Sequence, residues 1–384
     1  MKYNPHSCFV YPEQQSFMVL LLPVYQYKVN KNKTVYARHR GMTKNNSPTI
    51  KTKGLRIKEL FKLNSDEFKK KEESRVGGRI KKISFINELL IEFSKKKKKI
   101  PSKFHYDLKG SKYFEKITTT KEYYVTRIEK EILKKIAHQI NLIFHNNLTF
   151  IEFGSGSAEK ISILLNDQVK FYVPLDISFD FINKSSKQLF KSFPKLKILP
   201  TYCDYTKFIR LPKNISKTKV GFFLGSSIGN FYNKKEKEFL KNAKKTLGNN
   251  SFLFVGVDLI KETKILEKAY NDPGGFAARF NLNLINRINN ELKTKLKIRD
   301  FKYISHFNKK INAVEGFLLS MKNQELFINK KKFFIKKGEK IQTEISNKFT
   351  LTSFKKLASS SGWKVKKYWF DKKKFYTIFL LYAK

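Results

Sequence analysis

A doubly wound α/β sheet carrying a second, inserted α/β lobe is the fold class this sequence predicts, and three observations predict it. Short apolar runs alternate with stretches of helical periodicity from residue 148 to residue 258, the pattern of parallel strands covered on both faces. A glycine turn, Gly154 and Gly156 in "FIEFGSGSAEK", leads the first run into a helix. A mixed helical and strand pattern, roughly Leu259 to Lys348, then separates the fifth run from two apolar runs at the C-terminus.

The elements follow in order. Thr126 to Phe144 sets Ile128, Ile132, Ile136, Ile140 and Ile143 at three- and four-residue spacing, one apolar stripe on a helix. "LTFIEF" reads as the first strand, Ser157 to Leu165 as a helix, and "FYVPLD" as the second strand. Ser178 stands where a cap is expected for a helix ending near Lys191. "LKILP", "VGFFLG" and "SFLFVGVD" supply strands three to five, with a helix over Asn233 to Leu247 before the last. "GWKVKKYWF" and "KFYTIFLLY", joined by "DKKK", read as a closing antiparallel hairpin. The insertion joins a helical half, "GGFAARFNLNLINRINNEL", to a strand-rich half containing "AVEGFLLSM" and "QELFINKKKFFI".

Composition narrows the function classes. The 384 residues are 41% hydrophobic with 36 Phe, enough to build the cores of an enzyme. The formal charge of +48 would ordinarily suggest a nucleic-acid or membrane partner. Here it is spread along the chain with abundant Asn, Ile, Phe and Tyr, as a codon bias toward A and T produces, and no nucleic-acid recognition motif accompanies it. A nucleic-acid-binding protein on an enzyme scaffold therefore rests on charge alone. Two cysteines, Cys8 and Cys203, are too few for a disulfide framework or a zinc site, so no metal is expected and a reducing cytoplasm fits. "FMVLLLPVY" is too short for a membrane span and is interrupted by Pro23. Residues 1–83 are basic, with Glu13 the only acid before Glu59, and read as a poorly ordered extension outside the catalytic unit. A monomer is expected.

Strand ends in such sheets bind ligands where the connections reverse direction. Gly154 and Gly156 let the backbone turn beside a ligand, but Glu159 stands where a dinucleotide site has its third glycine and would repel a pyrophosphate. Asp176 ends the second strand, placed to accept from ribose hydroxyls. Asp204 in "TYCDY" follows the third strand, placed to accept from an adenine amine, with Tyr205 beside it to stack. Ribose and adenine without pyrophosphate describe S-adenosyl-L-methionine, whose sulfonium suits the nearby acids Glu152 and Glu159; a nicotinamide cofactor is the weaker alternative. The fourth strand leads into "LGSSIGNF" rather than the Pro-Pro-aromatic signature of base-methylating enzymes, and "NDPGG" at residues 271–275 reads as a turn.

Six blocks, "YDLKGSKYFEKITTTKEYYVTRIEKEIL", "EFGSGSAEK", "FFLGSSIGNF", "GVDLIKETKILEKAYND", "FNLNLINRIN" and "GEKIQTEISNKFT", together resemble the L-histidine-specific Nα-methyltransferase family of ergothioneine biosynthesis, in order over about residues 84–384. The resemblance implies a Rossmann-like class I methyltransferase core (129–258 and 349–384) and a substrate-binding lobe (84–128 and 259–348). It implies S-adenosyl-L-methionine at Gly154, Lys160, Asp176, Asp204 and Tyr205. For histidine it implies Asn230, Tyr270 and one of Tyr123 and Tyr124 at the carboxylate, Tyr106 near the α-amine, and Glu344 and Ser346 on the imidazole. Two positions apart on a strand, Glu344 and Ser346 face the same way. The product implied is trimethylated histidine, hercynine. Gly316 departs from the family pattern, where a bulky apolar residue is expected near the imidazole, and leaves another amino acid or small amine as the alternative substrate.

Overall fold

The computed structural model describes residues 77–384, apart from 145 and 146, and three short strands between residues 25 and 52. Two units divide at Ile83/Ser84. In the first, β1 (Tyr25–Val29), β2 (Val35–His39) and β3 (Ile50–Thr52) form an antiparallel sheet in chain order. The expected lack of order in residues 1–83 otherwise falls outside the described residues, except that helix α1 (Gly77–Phe93) begins inside that segment.

The second unit is built on an eight-stranded sheet. Its strands are β4 (Leu148–Phe153), β5 (Val169–Asp176), β6 (Lys197–Ile198), β7 (Thr201–Tyr202), β8 (Thr218–Phe223), β9 (Phe252–Asp258), β15 (Trp363–Phe370) and β16 (Tyr376–Ala383). The order is β15-β16-β9-β8-β4-β5-β6, with β7 also on β5. Strands β4 to β9 are parallel, and β16 enters antiparallel between β9 and β15. From β4 the chain steps outward to β5, β6 and β7, then returns to β8 on the other side of β4. That reversal opens a crevice at the carboxyl ends of β4 and β8.

Both faces of the sheet's centre are covered, so the central strands β4, β8 and β9 are mostly apolar and buried. All six residues of β4 are buried. Leu148 and Phe150 pack with Ile132, Ile136 and Ile140 of α3 (Tyr124–Ile143), while Ile151 and Phe153 pack with Phe239 and Leu240 of α6 (Lys235–Leu247) and Phe354 of α9 (Leu351–Ser360). The helix expected over Ser157–Leu165 is much shorter, α4 (Glu159–Ser162), because Ala158 takes a left-handed conformation (φ 58°) at its entrance. The third strand is split into β6 and β7 at Pro200, which has no N–H to give a ladder. Ser178 does precede α5 (Phe179–Ser192), but its side chain makes no capping bond.

After Asp258 the chain leaves the sheet, and it returns at Phe349; Leu259 and Phe349 pair in a bridge that closes the excursion. Between them lie α7 (Thr263–Tyr270), α8 (Phe276–Leu292), the antiparallel sheet of β10 (Phe301–Asn308), β11 (Ala313–Ser320) and β14 (Lys340–Asn347), and the hairpin of β12 (Gln324–Ile328) and β13 (Lys331–Ile335). "NDPGG" is the turn before α8, whose first N–H groups at Phe276 and Ala277 are accepted by Asp272 at 2.8 and 2.7 Å. The segment before α3, which includes α2 (Leu108–Thr119), joins this inserted piece: Phe85, Leu89 and Phe93 of α1, with Ile100 and Phe104, share one apolar cluster with Leu284, Ile285 and Ile288 of α8 and Leu318 and Ile341 of the sheet.

One buried carboxylate braces the crevice from behind. Glu129 of α3, fully buried, accepts from Gly225 N–H at 2.8 Å, from Lys160 Nζ at 2.6 Å and from the Tyr376 hydroxyl at 2.6 Å. It ties the loop after β8, the helix after the glycine turn and strand β16 to one point. Gly256 of β9 makes room for it, since a Cβ there would overlap both the Glu129 carboxylate and the Tyr376 hydroxyl. Gly256→Ala is therefore expected to lower unfolding stability by about 2–4 kcal/mol, measured by urea denaturation; a loss below about 0.5 kcal/mol would contradict this packing.

Candidate active site

The crevice begins at the glycine turn. Gly154 (φ 75°) and Gly156 (φ 52°) take left-handed conformations that admit glycine freely. Gly154 also lies against Tyr205, whose hydroxyl would be 3.2 Å from a Cβ at that position. Asp176 reaches back from the end of β5: one oxygen accepts from Gly156 N–H at 3.2 Å and the other from Ser178 N–H at 2.9 Å. Asp204 accepts from Thr206 and lies 3.8 Å from Lys103 Nζ. Gly154, Asp176 and Tyr205 are thus brought together around one turn, with Asp204 next to Tyr205 in the chain. Lys160 sits behind the turn, its ammonium held by Glu129.

The acids expected to welcome a sulfonium behave differently. Glu159 is exposed and pairs with Lys130. Burial pushes the Glu152 carboxyl up to about 8, against the hydrogen bond from Tyr172 and the Lys160 charge that favour ionisation. At neutral pH Glu152 is therefore mainly protonated; burial raises the Asp176 carboxyl as well, opposed by the backbone N–H groups of Ser178, Gly156 and Ile177.

The opposite wall comes from the inserted piece. Ser346 of β14 is buried, and the Tyr270 hydroxyl at the end of α7 donates to it at 2.8 Å. Glu344, half-buried on the same strand, accepts from Asn281 of α8 at 3.3 Å. Asn281 in turn accepts from Thr343 at 2.6 Å, and its oxygen lies 3.0 Å from Nε2 of the buried His105. Glu344 pairs with Gly316 across the ladder, and a Cβ at 316 would meet Glu344 Cβ at 3.1 Å and the Tyr303 ring at 3.2 Å. Tyr303 thus packs over the glycine, so the space left by the missing side chain is at least partly filled.

Tyr106 stands between the two walls. Its ring meets Phe114 and Phe280 edge-on at 5.6 and 5.7 Å. Burial pushes its hydroxyl up, and the groups that add to this come from both sides: Tyr205 and Asp176 of the turn, Glu344 and Tyr270 of the insertion. Tyr106 therefore stays a neutral phenol and is no general base at neutral pH.

The adjacent tyrosines of "EYY" part company. The Tyr123 ring is 6.2 Å from Tyr270, and its hydroxyl is pushed up by burial and then by Tyr270, Tyr106, Glu344 and Asp258. Tyr124 instead donates to Asp258 at 2.8 Å and accepts from Lys261 at 2.8 Å. Asn230 ends a single helical turn, Ser227–Asn230, after β8, and that turn is fastened to β14 by Asn347, which donates to the Gly229 and Phe231 carbonyls at 2.9 Å each.

Glu129, Asp258, Lys261, Lys348, Asn281 and His105 were not singled out by sequence reasoning. Lys348 carried a usable signal, standing two positions past Ser346, just beyond the end of β14 and in the same alternation.

Glu152 gives the site a testable pH signature. Its folded pKa lies above the ordinary carboxyl value, so its native state holds a proton that the unfolded chain releases, and stability falls as pH rises from about 4.5 to about 8. Glu152→Gln removes this dependence. Relative to wild type, the variant is expected to gain about 1.4 kcal/mol per pH unit between pH 5 and 8; a constant difference across denaturation curves in that range would refute the protonated carboxyl.

Comparison with known proteins identifies the family. The family model described as "Histidine-specific methyltransferase, SAM-dependent" matches residues 85–383. The Histidine N-alpha-methyltransferase of Mycolicibacterium smegmatis is 28% identical over 281 residues, 71% of this chain and 87% of the relative. That of Mycobacterium tuberculosis is 29% identical over 260 residues, 66% of this chain and 80% of the relative. The Ergothioneine biosynthesis protein 1 of Neurospora crassa is 33% identical over 200 residues, 50% of this chain and only 23% of that longer protein. With the family model covering more than half of its length, the chain belongs to the histidine-specific, S-adenosyl-L-methionine-dependent methyltransferases.

Proposed function

We propose that this enzyme transfers methyl groups from S-adenosyl-L-methionine to the α-amine of L-histidine, three times in succession, to give hercynine for ergothioneine biosynthesis in the cytoplasm. Among the described residues no helix is long and apolar enough to cross a membrane. In this reading the core is 129–258 with 349–384, and 84–128 with 259–348 hold the substrate. The observation that carries it is the placement of Glu344 and Ser346 two positions apart on β14, with Tyr270 bonded to Ser346, in a chain of the histidine-specific family.

The residues fit the cofactor's parts. The glycine turn admits the methionine portion closely, Asp176 accepts from the ribose hydroxyls, and Asp204 and Tyr205 take the adenine, with Lys160 contributing from behind the turn. When bound, the cofactor supplies an electron-poor methyl for in-line displacement. The protein's work is then alignment and exclusion of water. Asn230 and Tyr123 donate to the substrate carboxylate, with Tyr124 as the alternative to Tyr123, and Tyr270 stands beside them with its hydroxyl bonded to Ser346. Glu344 and Ser346 hold the imidazole, one ring nitrogen each. Anchored at both ends, the substrate leaves its α-nitrogen free to rotate between transfers. Tyr106, a neutral phenol, orients that nitrogen, and the proton leaves to solvent.

A second substrate, another amino acid or small amine, is favoured only by Gly316. The packing of Tyr303 over that glycine argues against a much roomier pocket.

Two measurements test the reading. Mass spectrometry of products from histidine and labelled cofactor should show mono-, di- and trimethylhistidine; methylation of another amino acid in preference would overturn it. Glu344→Ala should raise KM for histidine about 10- to 100-fold, as loss of a charge-assisted hydrogen bond does, with cofactor affinity within about twofold. Equal loss of both affinities would remove Glu344 from the substrate site.

A further inference from the structure

Behind the two hydroxyls of the pocket lies a buried lysine that none of the assigned roles uses. Lys348 Nζ is fully buried and makes three hydrogen bonds: to Asp258 Oδ2 at 2.7 Å, to the Ser346 hydroxyl at 2.8 Å and to the Tyr270 hydroxyl at 3.0 Å. An ammonium has three N–H groups, so its capacity is spent, and it can only donate. Ser346 Oγ accepts from Lys348 and from Tyr270, and both of its lone pairs are used. The Tyr270 oxygen accepts from Lys348 as well.

Charge balance alone does not require this lysine. Asp258 already has Lys261 as a counter-ion and the Tyr124 hydroxyl as a donor. Two ammonium groups around one carboxylate is an expensive buried arrangement unless the second does something else. What Lys348 adds is contact with the two hydroxyls.

We infer that Lys348 is a positioning residue for substrate recognition: together with Tyr270, whose one hydroxyl hydrogen goes to the same oxygen, it fills the acceptor sites of Ser346 and makes that hydroxyl meet a ligand as a donor. This rests on the histidine reading above and deepens it. Ser346, with no lone pair left, can only give its hydrogen to the unprotonated nitrogen of an imidazole, while Tyr270 spends its one hydrogen on Ser346 and leaves donation to the carboxylate to Asn230 and Tyr123. Glu344 is an acceptor and takes the ring N–H. The pocket thus reads a neutral ring in one tautomer, and Lys348 sets the polarity of that reading without touching the substrate.

The test is calorimetric binding of histidine in the presence of S-adenosylhomocysteine, with the affinity for S-adenosylhomocysteine measured alongside. Lys348→Met should weaken histidine about 10- to 100-fold, as Ser346→Ala does. The double variant should be within about threefold of Ser346→Ala, because one residue acts through the other. Lys261→Met removes the other Asp258 counter-ion without touching either hydroxyl, and should leave histidine affinity within about threefold of wild type. S-adenosylhomocysteine affinity should be unchanged throughout, which a general loss of structure would not allow. Unchanged histidine binding in Lys348→Met, or losses that multiply in the double variant, would overturn the inference while leaving the proposed function intact.

Should Lys348→Met fail to fold, wild-type protein still decides. β-(Pyrrol-3-yl)alanine keeps a ring N–H and lacks the acceptor nitrogen, so it should bind at least about 10-fold more weakly than histidine; equal affinity would overturn the donor assignment. Wild-type protein that binds S-adenosylhomocysteine but no histidine would refute the functional reading and take the inference with it.

Discussion

A buried aspartate at the end of a central strand is the interaction on which the arrangement depends. Asp258 closes β9, where the chain leaves the sheet, and it binds Lys348 from the point of return, Lys261 from the exit and Tyr124 from the first core helix. Its ionisation is maintained because the two lysines outweigh the penalty of burial, holding the carboxyl below its ordinary range. A buried carboxylate with no partner would cost several kcal/mol. The requirement for paired charges therefore fixes the root of the insertion to the sheet, and the bridge between Leu259 and Phe349 continues that attachment. Glu129 plays the corresponding part beneath the glycine turn. One carboxylate braces each wall of the crevice.

Between those braces the chemistry asks little of the protein beyond geometry. Half-buried Tyr106 and buried Tyr123 and Tyr270 line the approach, and burial keeps all three as neutral phenols. Such groups orient and donate without competing for the proton of an amine. The strong base that a deprotonation mechanism would require is not among them. Glu344 is engaged with Asn281. This division suits a displacement in which alignment is the main contribution.

The parts of this structure that were legible in the sequence are those governed by local pattern. Fully covered strands must be apolar, so "LTFIEF" and "SFLFVGVD" announce themselves, and the isoleucine stripe of α3 does the same. The limits of the helix after the glycine turn were not legible, because a left-handed alanine at 158 has no compositional mark. Nor does "LKILP" show that Pro200 interrupts a strand rather than ending it. The glycine turn and Asp176 could be paired from spacing, since they end neighbouring strands. The ionic clusters could not, because Asp258 and Lys348, or Glu129 and Tyr376, are far apart in the chain and meet only after the whole sheet has formed. The same clusters separate Tyr123 from Tyr124, whose adjacent letters carry no hint that one packs on Tyr270 and the other bonds to Asp258.

The most direct test of the central claim is a crystal structure of the enzyme with S-adenosylhomocysteine and L-histidine. The account requires the imidazole to lie between Glu344 and Ser346, with Tyr106 beside the α-nitrogen and that nitrogen directed at the sulfur from about the distance a methyl group would span. Histidine bound with its ring away from Glu344, or with its amine turned from the sulfur toward bulk water, would contradict it.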